Sequence, residues 1–264
     1  AVGLAVLFFG KLIVSYREEK GHAAVQKALL NKSIKLCLWC CLLFIAIPFG
    51  IYFTAFLPLT TLPHNRYDVF GRFIAYQTHM YNYHSPLQAT HPFESPWYQW
   101  PFDIRNVWYY GNYSADSEGH IRTISVLGNP LFFWACVPAT VYAFVRAVKR
   151  HSRTALICVI GFLSAYLPWV LVPRCTFIYH YFTAVPFILI ALLIAYQRLE
   201  ETASLRRVVF TKGAVTLTVG RMLLLSCVLV HILMFIAFYP VLTGTLTTQN
   251  YANALEWLPG WFFI

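Results

Sequence analysis

Apolar residues run along this chain in blocks of about twenty separated by shorter polar stretches, the length a helix needs to cross a bilayer at 1.5 Å per residue. Five full blocks stand out, Lys35–Leu57, Leu131–Ala147, Thr154–Val172, Phe177–Tyr196 and Met222–Tyr239. The opening run Ala1–Val14 reads as the cut end of a further span, since no basic region precedes it as a signal peptide would require. Each block predicts α-helix, because backbone groups in hydrocarbon must find partners within their own segment. Pro48, Pro138, Pro168 and Pro186 fall inside the blocks and predict kinks, or carbonyls released towards a cavity. The pattern therefore predicts an all-α fold, a polytopic transmembrane helical bundle.

Between the spans the polar segments alternate in charge. Segments 11–35, 146–153 and 198–221 carry 15 of the 20 Lys and Arg residues. By the positive-inside rule those three face the cytoplasm. An outer loop, 58–130, a tight turn at 173–176 and the tail 241–264 then face outside. The division along the chain is residues 1–35, a truncated span end with its cytoplasmic loop, and residues 36–264, a transmembrane region with the outer loop inserted. Tyr67–His84 places Phe70, Phe73, Ile74, Gln77, Met80 and Tyr81 at helical spacing, which predicts an interfacial helix inside an otherwise irregular outer loop.

Composition sharpens the class. Hydrophobic residues make up 59% and charged residues 11% of the 264, against roughly 25% charged in a soluble chain. The formal net charge of +10 is a topology signal; the basic segments lack the interleaved aromatics of a nucleic-acid surface, so no nucleic-acid partner is expected. The lipid bilayer is the expected surrounding. Among seven cysteines, Cys37 and Cys40 have CxxC spacing, but inside an apolar block they read as small hydrophobes. Six outward histidines, His64, His79, His84, His91, His120 and His180, show no HxxxH or HExxH spacing, and the residues imply neither metal nor cofactor.

Candidate chemistry gathers on the outer side. His91–Tyr110 packs three Trp, three Tyr and three Pro around His91, Glu94, Asp103 and Arg105. An aromatic belt explains the rings; an aromatic sugar-holding platform explains the polar residues as well, and both readings stay open. Leu127-Gly-Asn-Pro130 opens the next span, with Asn129 as helix cap or as part of an anion-binding helix start. In Pro168-Trp-Val-Leu-Val-Pro-Arg-Cys-Thr-Phe-Ile-Tyr-His-Tyr181, Arg174 stands between two spans, followed by Tyr179, His180 and Tyr181. An ionisable group at membrane depth is costly and by default functional. Arg174 reads either as a snorkelling anchor or as a bidentate grip on a lipid-linked phosphate.

Four blocks, His91–Pro101, Leu127–Pro130, Tyr166–Trp169 and Arg174–Tyr181, in this order, resemble the C-terminal membrane region of the protein O-mannosyltransferases, glycosyltransferases of GT-C type; Phe238–Gly244 with Trp257 and Trp261 resembles that family's end. The resemblance implies inverting transfer of mannose from a polyprenyl or dolichyl phosphate to Ser or Thr of an acceptor protein. It places Arg174, Tyr179, His180 and Tyr181 on the lipid-phosphate side, and His91, Trp97, Trp100, Arg105 and Asn129 around the same cavity. The family's catalytic carboxylates lie in the first outer loop, so no catalytic residue is expected in this chain, with Glu94 and Asp103 as weaker substitutes. A 58–130 loop too short for the lumenal β-trefoil of eukaryotic members implies the bacterial type, at the cell membrane rather than the endoplasmic reticulum. Two other readings stand beside it. One is a GT-C enzyme with the same kind of donor and a lipid or glycan acceptor; the other is a non-catalytic membrane scaffold.

Overall fold

The computed structural model describes residues 2–62, 66–87, 89–112, 119–213 and 215–263; His64 lies outside the described residues. The chain forms two compact units, Ala5–Gln88 and Ala89–Ile264 together with Ala1–Leu4. These units meet at residues 88 and 89, and one helix runs through residue 35.

In the first unit α1 (Val2–Glu18) is followed by α2 (Ala23–Cys41), which continues through a π turn, Leu42–Ala46, into α3 (Ile47–Thr54). Pro48 has no N–H to donate back along the helix, and the wider turn just before it absorbs the break. The helical run Ala23–Thr61 is long and apolar enough to cross a membrane. The predicted interfacial helix is present as α4 (Val69–His84), capped by Asp68, which accepts from the Gly71 N–H at 2.7 Å. Phe73 of α4 packs edge-on against Phe49, Tyr52 and Phe56, and Gln77 donates to the Tyr52 hydroxyl at 2.8 Å. Phe70 and Tyr81 stay exposed, so α4 keeps a second, uncovered aromatic face.

The second unit opens on a 3-10 turn, Trp97–Phe102, and a hairpin of β1 (Val107–Asn112) and β2 (His120–Val126). The spans follow: α5 (Pro130–Lys149), α6 (Arg153–Tyr166) extended by a 3-10 turn to Leu171, and a 3-10 start, Ile178–Ala184, leading into α7 (Val185–Glu200). A short α8 (Ala203–Arg206) and a second hairpin, β3 (Val208–Lys212) with β4 (Val215–Thr218), precede α9 (Val219–Thr243), β5 (Thr247–Thr248) and α10 (Gln249–Ala254). Prolines set where the spans tighten. Pro168 stands at the start of the 3-10 turn after α6, and Pro186 in the first turn of α7.

The bundle of α5, α6 and α7 crosses on small side chains, Ala143, Ala147, Ala155, Cys158 and Ala191, all buried. Membrane helices associate by such close backbone approach, since lipid offers no hydrophobic drive between them. A methyl group on Gly161 of α6 would stand 2.1 Å from the Phe187 ring of α7.

The outer loop is less irregular than its composition predicts. β1 and β2 pair antiparallel, and β5 adds to the far edge of β2, giving the order β1-β2-β5. Trp108 donates to Thr123 Oγ1 at 2.9 Å and lies over Gly111, whose missing side chain makes room for it. Proline and aromatic density masked this sheet, because β-strand preference is set by cross-strand neighbours that composition does not reveal. The tail is tied beside it: the Phe262 N–H donates to Asn106 Oδ1 at 2.9 Å, and Ser125 Oγ donates to the Phe262 carbonyl at 3.2 Å. Gly260 lies so close to the Ile104 carbonyl that a side chain there would collide with backbone.

Candidate functional site

Two segments far apart in sequence are fastened together where the C-terminal end of α6 meets the N-terminal end of α7. The Ser95 N–H donates to the Thr176 carbonyl at 2.8 Å, and Thr176 Oγ1 donates back to the Ser95 carbonyl at 2.9 Å. Both residues are buried. This clamp joins the His91–Pro101 segment to the link 172–177 that carries Arg174.

Around the clamp an aromatic wall forms. Trp100 is fully buried and donates its indole N–H to the Ser95 carbonyl and hydroxyl at 3.1 and 3.0 Å. The His180 ring lies 4.0 Å from that of Trp169, 4.5 Å from Tyr179 and 5.9 Å from Trp100, nearly parallel to the last. Its Nδ1 sits 3.1 Å from the Phe177 nitrogen and 2.9 Å from the Phe177 oxygen, the tautomer deciding which bond forms. No hydrogen bond to Nε2 is found among the described residues. His180 and Tyr179 are half-buried, and Arg174 is exposed within electrostatic reach of both. His91, exposed, meets Phe177 edge-on at 5.2 Å and takes the Phe93 N–H on Nδ1 at 3.1 Å. The open side of the wall thus presents Arg174, Tyr179, His180 and His91.

The other candidate residues are turned to structural work. Tyr181 is buried against Tyr166 and Phe133. Trp97 is held through its carbonyl, which accepts the Tyr166 hydroxyl at 2.8 Å. Arg105 donates to the Pro92 carbonyl at 3.0 Å, bracing the turn that carries His91. Asn129 caps α5 by accepting the Phe132 N–H at 3.3 Å and donates to the His231 carbonyl at 3.3 Å. Trp169 and Phe177, rings against His180 and His91, were not singled out from the sequence; only their position beside Arg174 distinguishes them from other interfacial aromatics. Ser95 and Thr176 carried no signal at all, being small polar residues 81 positions apart.

Two carboxylates lie near. Glu94 accepts the His91 backbone N–H at 3.3 Å. Asp103 is fully buried in left-handed backbone (φ 54°). Its Oδ1 accepts the Gly128 N–H at 3.2 Å, its carbonyl accepts the Trp261 indole at 2.6 Å, and Oδ2 is buried without a hydrogen-bond partner among the described residues. Burial pushes the Asp103 carboxyl up to about 7, against a smaller lowering by the Gly128 N–H.

Residues 69–261 match the family described as the C-terminal four TMM region of protein-O-mannosyltransferase. Four of the five candidate spans, Pro130–Lys149, Arg153–Leu171, Ile178–Glu200 and Val219–Thr243, lie within that stretch. A polyprenol-phosphate-mannose–protein mannosyltransferase of Corynebacterium glutamicum is 27% identical over 199 residues, 71% of this chain and 36% of that protein. One of Mycolicibacterium smegmatis is 25% identical over 242 residues, 81% of this chain and 45% of that protein. The chain therefore spans less than half the length of these curated relatives. The solved Saccharomyces cerevisiae protein O-mannosyltransferase Pmt1-Pmt2 complex bound to the sugar donor is similar in fold, with a TM-score of 0.57 and 22% identity over 76% of this chain and 28% of that one. This chain, a multi-pass membrane protein, belongs to the protein O-mannosyltransferase family and carries its C-terminal membrane region.

Proposed function

We propose that this chain forms the donor-side part of an enzyme that moves mannose from a polyprenyl phosphate to Ser or Thr of an acceptor protein, with inversion at the sugar carbon. The supporting observation is the Ser95–Thr176 clamp, which holds an exposed arginine beside half-buried Tyr179 and His180 at the outer end of two spans. Curated relatives named for a polyprenol-phosphate-mannose donor, and a fold relative bound to its sugar donor, favour the same reading.

In this reaction the acceptor hydroxyl oxygen attacks C1 of mannose. The bond from C1 to the phosphate oxygen breaks, its electron pair stays on the phosphate, and the hydroxyl proton passes to a carboxylate. Arg174 binds two phosphate oxygens and offsets the charge that grows as the bond breaks. His180 Nε2 and the Tyr179 hydroxyl orient the phosphate and the sugar, with His91 across the opening. Trp97, Trp100, Arg105, Tyr181 and Asn129 set the shape of the wall from behind. The base comes from outside these 264 residues: Asp103 is sealed from the opening, and Glu94 is engaged by the His91 N–H. The setting is the plasma membrane of a bacterium, with the site outward, as the bacterial relatives and the short outer segment favour.

The test is mannosyl transfer from labelled polyprenyl-phosphate mannose by the full-length protein in vesicles. Arg174→Ala should lower kcat/KM on the order of a hundredfold, with Arg174→Lys between it and the wild type because lysine cannot grip two oxygens at once. His180→Ala should also fall. Wild-type activity in Arg174→Ala or His180→Ala would sink the site assignment.

A further inference from the structure

The β3–β4 hairpin takes no part in the outer site, and it leaves apolar residues uncovered. Every residue of β3 is exposed, and Val208, Val209 and Phe210 stand 54%, 53% and 54% open. Phe210 pairs across the hairpin with Leu217, so two apolar side chains share one face. An isolated two-stranded hairpin is only marginally stable in water, so this face needs a cover.

Its position and charge say which. The hairpin sits between the ends of two spans, α7 and α9, with its base pinned to them. The Val219 N–H donates to the Arg207 carbonyl at 3.0 Å, Thr218 caps α9 by accepting the Arg221 N–H at 3.2 Å, and Gly220 lies against Leu205 and Glu200. A hairpin fastened to two span ends lies at the level of the headgroups. From Arg206 to Arg221 the segment holds Arg206, Arg207, Lys212 and Arg221 and no acid. The nearby Glu201 is taken by Arg198 at 2.7 Å, which holds its carboxyl below the usual range.

We propose that β3–β4 is an interfacial wedge that docks on an anionic phospholipid leaflet, the face of Phe210 and Leu217 entering the acyl boundary while Arg206, Arg207 and Lys212 meet lipid phosphates. Apolar residues that reach the acyl boundary flanked by cations are the chemistry of a headgroup-layer anchor, and each cation near such a surface strengthens binding about fivefold.

The experiment places a photo-crosslinking phenylalanine analogue at Phe210 in the full-length protein, reconstituted in vesicles of phosphatidylcholine alone or with phosphatidylglycerol. Lipid adducts should dominate and rise several-fold with phosphatidylglycerol. Arg206→Gln with Lys212→Gln should cut the adduct by roughly an order of magnitude, while mannosyl transfer in the same vesicles confirms that the protein is folded. A protein adduct in place of lipid, or the same yield in both vesicle types, would overturn the proposal.

Discussion

Asp103 shows most directly how a residue's surroundings change what it does. A carboxyl buried away from solvent resists ionisation, so the folded protein holds the proton to about 7 while the unfolded chain releases it near its usual value. The folded state is therefore the better proton binder between roughly pH 4 and 7, and stability falls as pH rises through that window, by up to about 4 kcal/mol. Asp103→Asn keeps an oxygen for the Gly128 N–H and has nothing to ionise. It should raise the Tm of the detergent-solubilised protein at pH 8 and change it little at pH 4; an equal shift at both values would contradict the buried-carboxyl reading. Other residues were legible for what they are but not for where they point. Arg174, Tyr179 and His180 were recognisable as polar groups at an apolar boundary, and in the fold Arg174 is exposed while Tyr179 and His180 are half-buried. Trp100, Arg105 and Asn129 answered the same cue, and in the fold they donate to Ser95, Pro92 and His231. Composition identifies a donor; only coordinates identify its acceptor.

At the scale of elements, the spans were readable because a membrane imposes one length and one conformation on any apolar run. Their internal breaks at Pro48, Pro168 and Pro186 were readable too, as places where a ladder bond is missing. The joints between elements were not. Thr176→Val removes the donor that closes the clamp and leaves its partners in a buried place, which should cost about 1–2 kcal/mol. Thermal unfolding checks the cost. If the clamp also positions Arg174, the KM for the lipid donor should rise by more than the loss of folded protein explains. Gly161→Ala probes the α6–α7 crossing, where a methyl group would strike the Phe187 ring. Overpacking there should lower stability by about 1–3 kcal/mol, whereas a neutral result would mean that Phe187 can swing away. Both hairpins were missed from the sequence, since pairing depends on a partner strand and not on the periodicity of one.

For the whole molecule, the alternation of basic and neutral segments predicts that the α5–α6 link and the C-terminal tail lie on opposite sides of the membrane. Reporter groups inserted at His151 and after Trp257 in the full-length protein should read inside and outside respectively. Outside and inside respectively would reverse the orientation and with it the outward placement of the Arg174 site, and the same side for both would contradict the three spans that separate them. What the sequence by itself determined is the class of molecule, the number of apolar spans, their charge-marked sides and the order of blocks by which it resembles its family. Lipid is a severe solvent that admits few backbone structures and excludes charge, so those properties are written in composition and block length. What only the tertiary structure decided is which polar groups meet. The Ser95–Thr176 clamp, the burial of Asp103 and the stacking of His180 on Trp100 join positions tens of residues apart. Such contacts depend on the path the chain takes between spans, and no local pattern encodes that path.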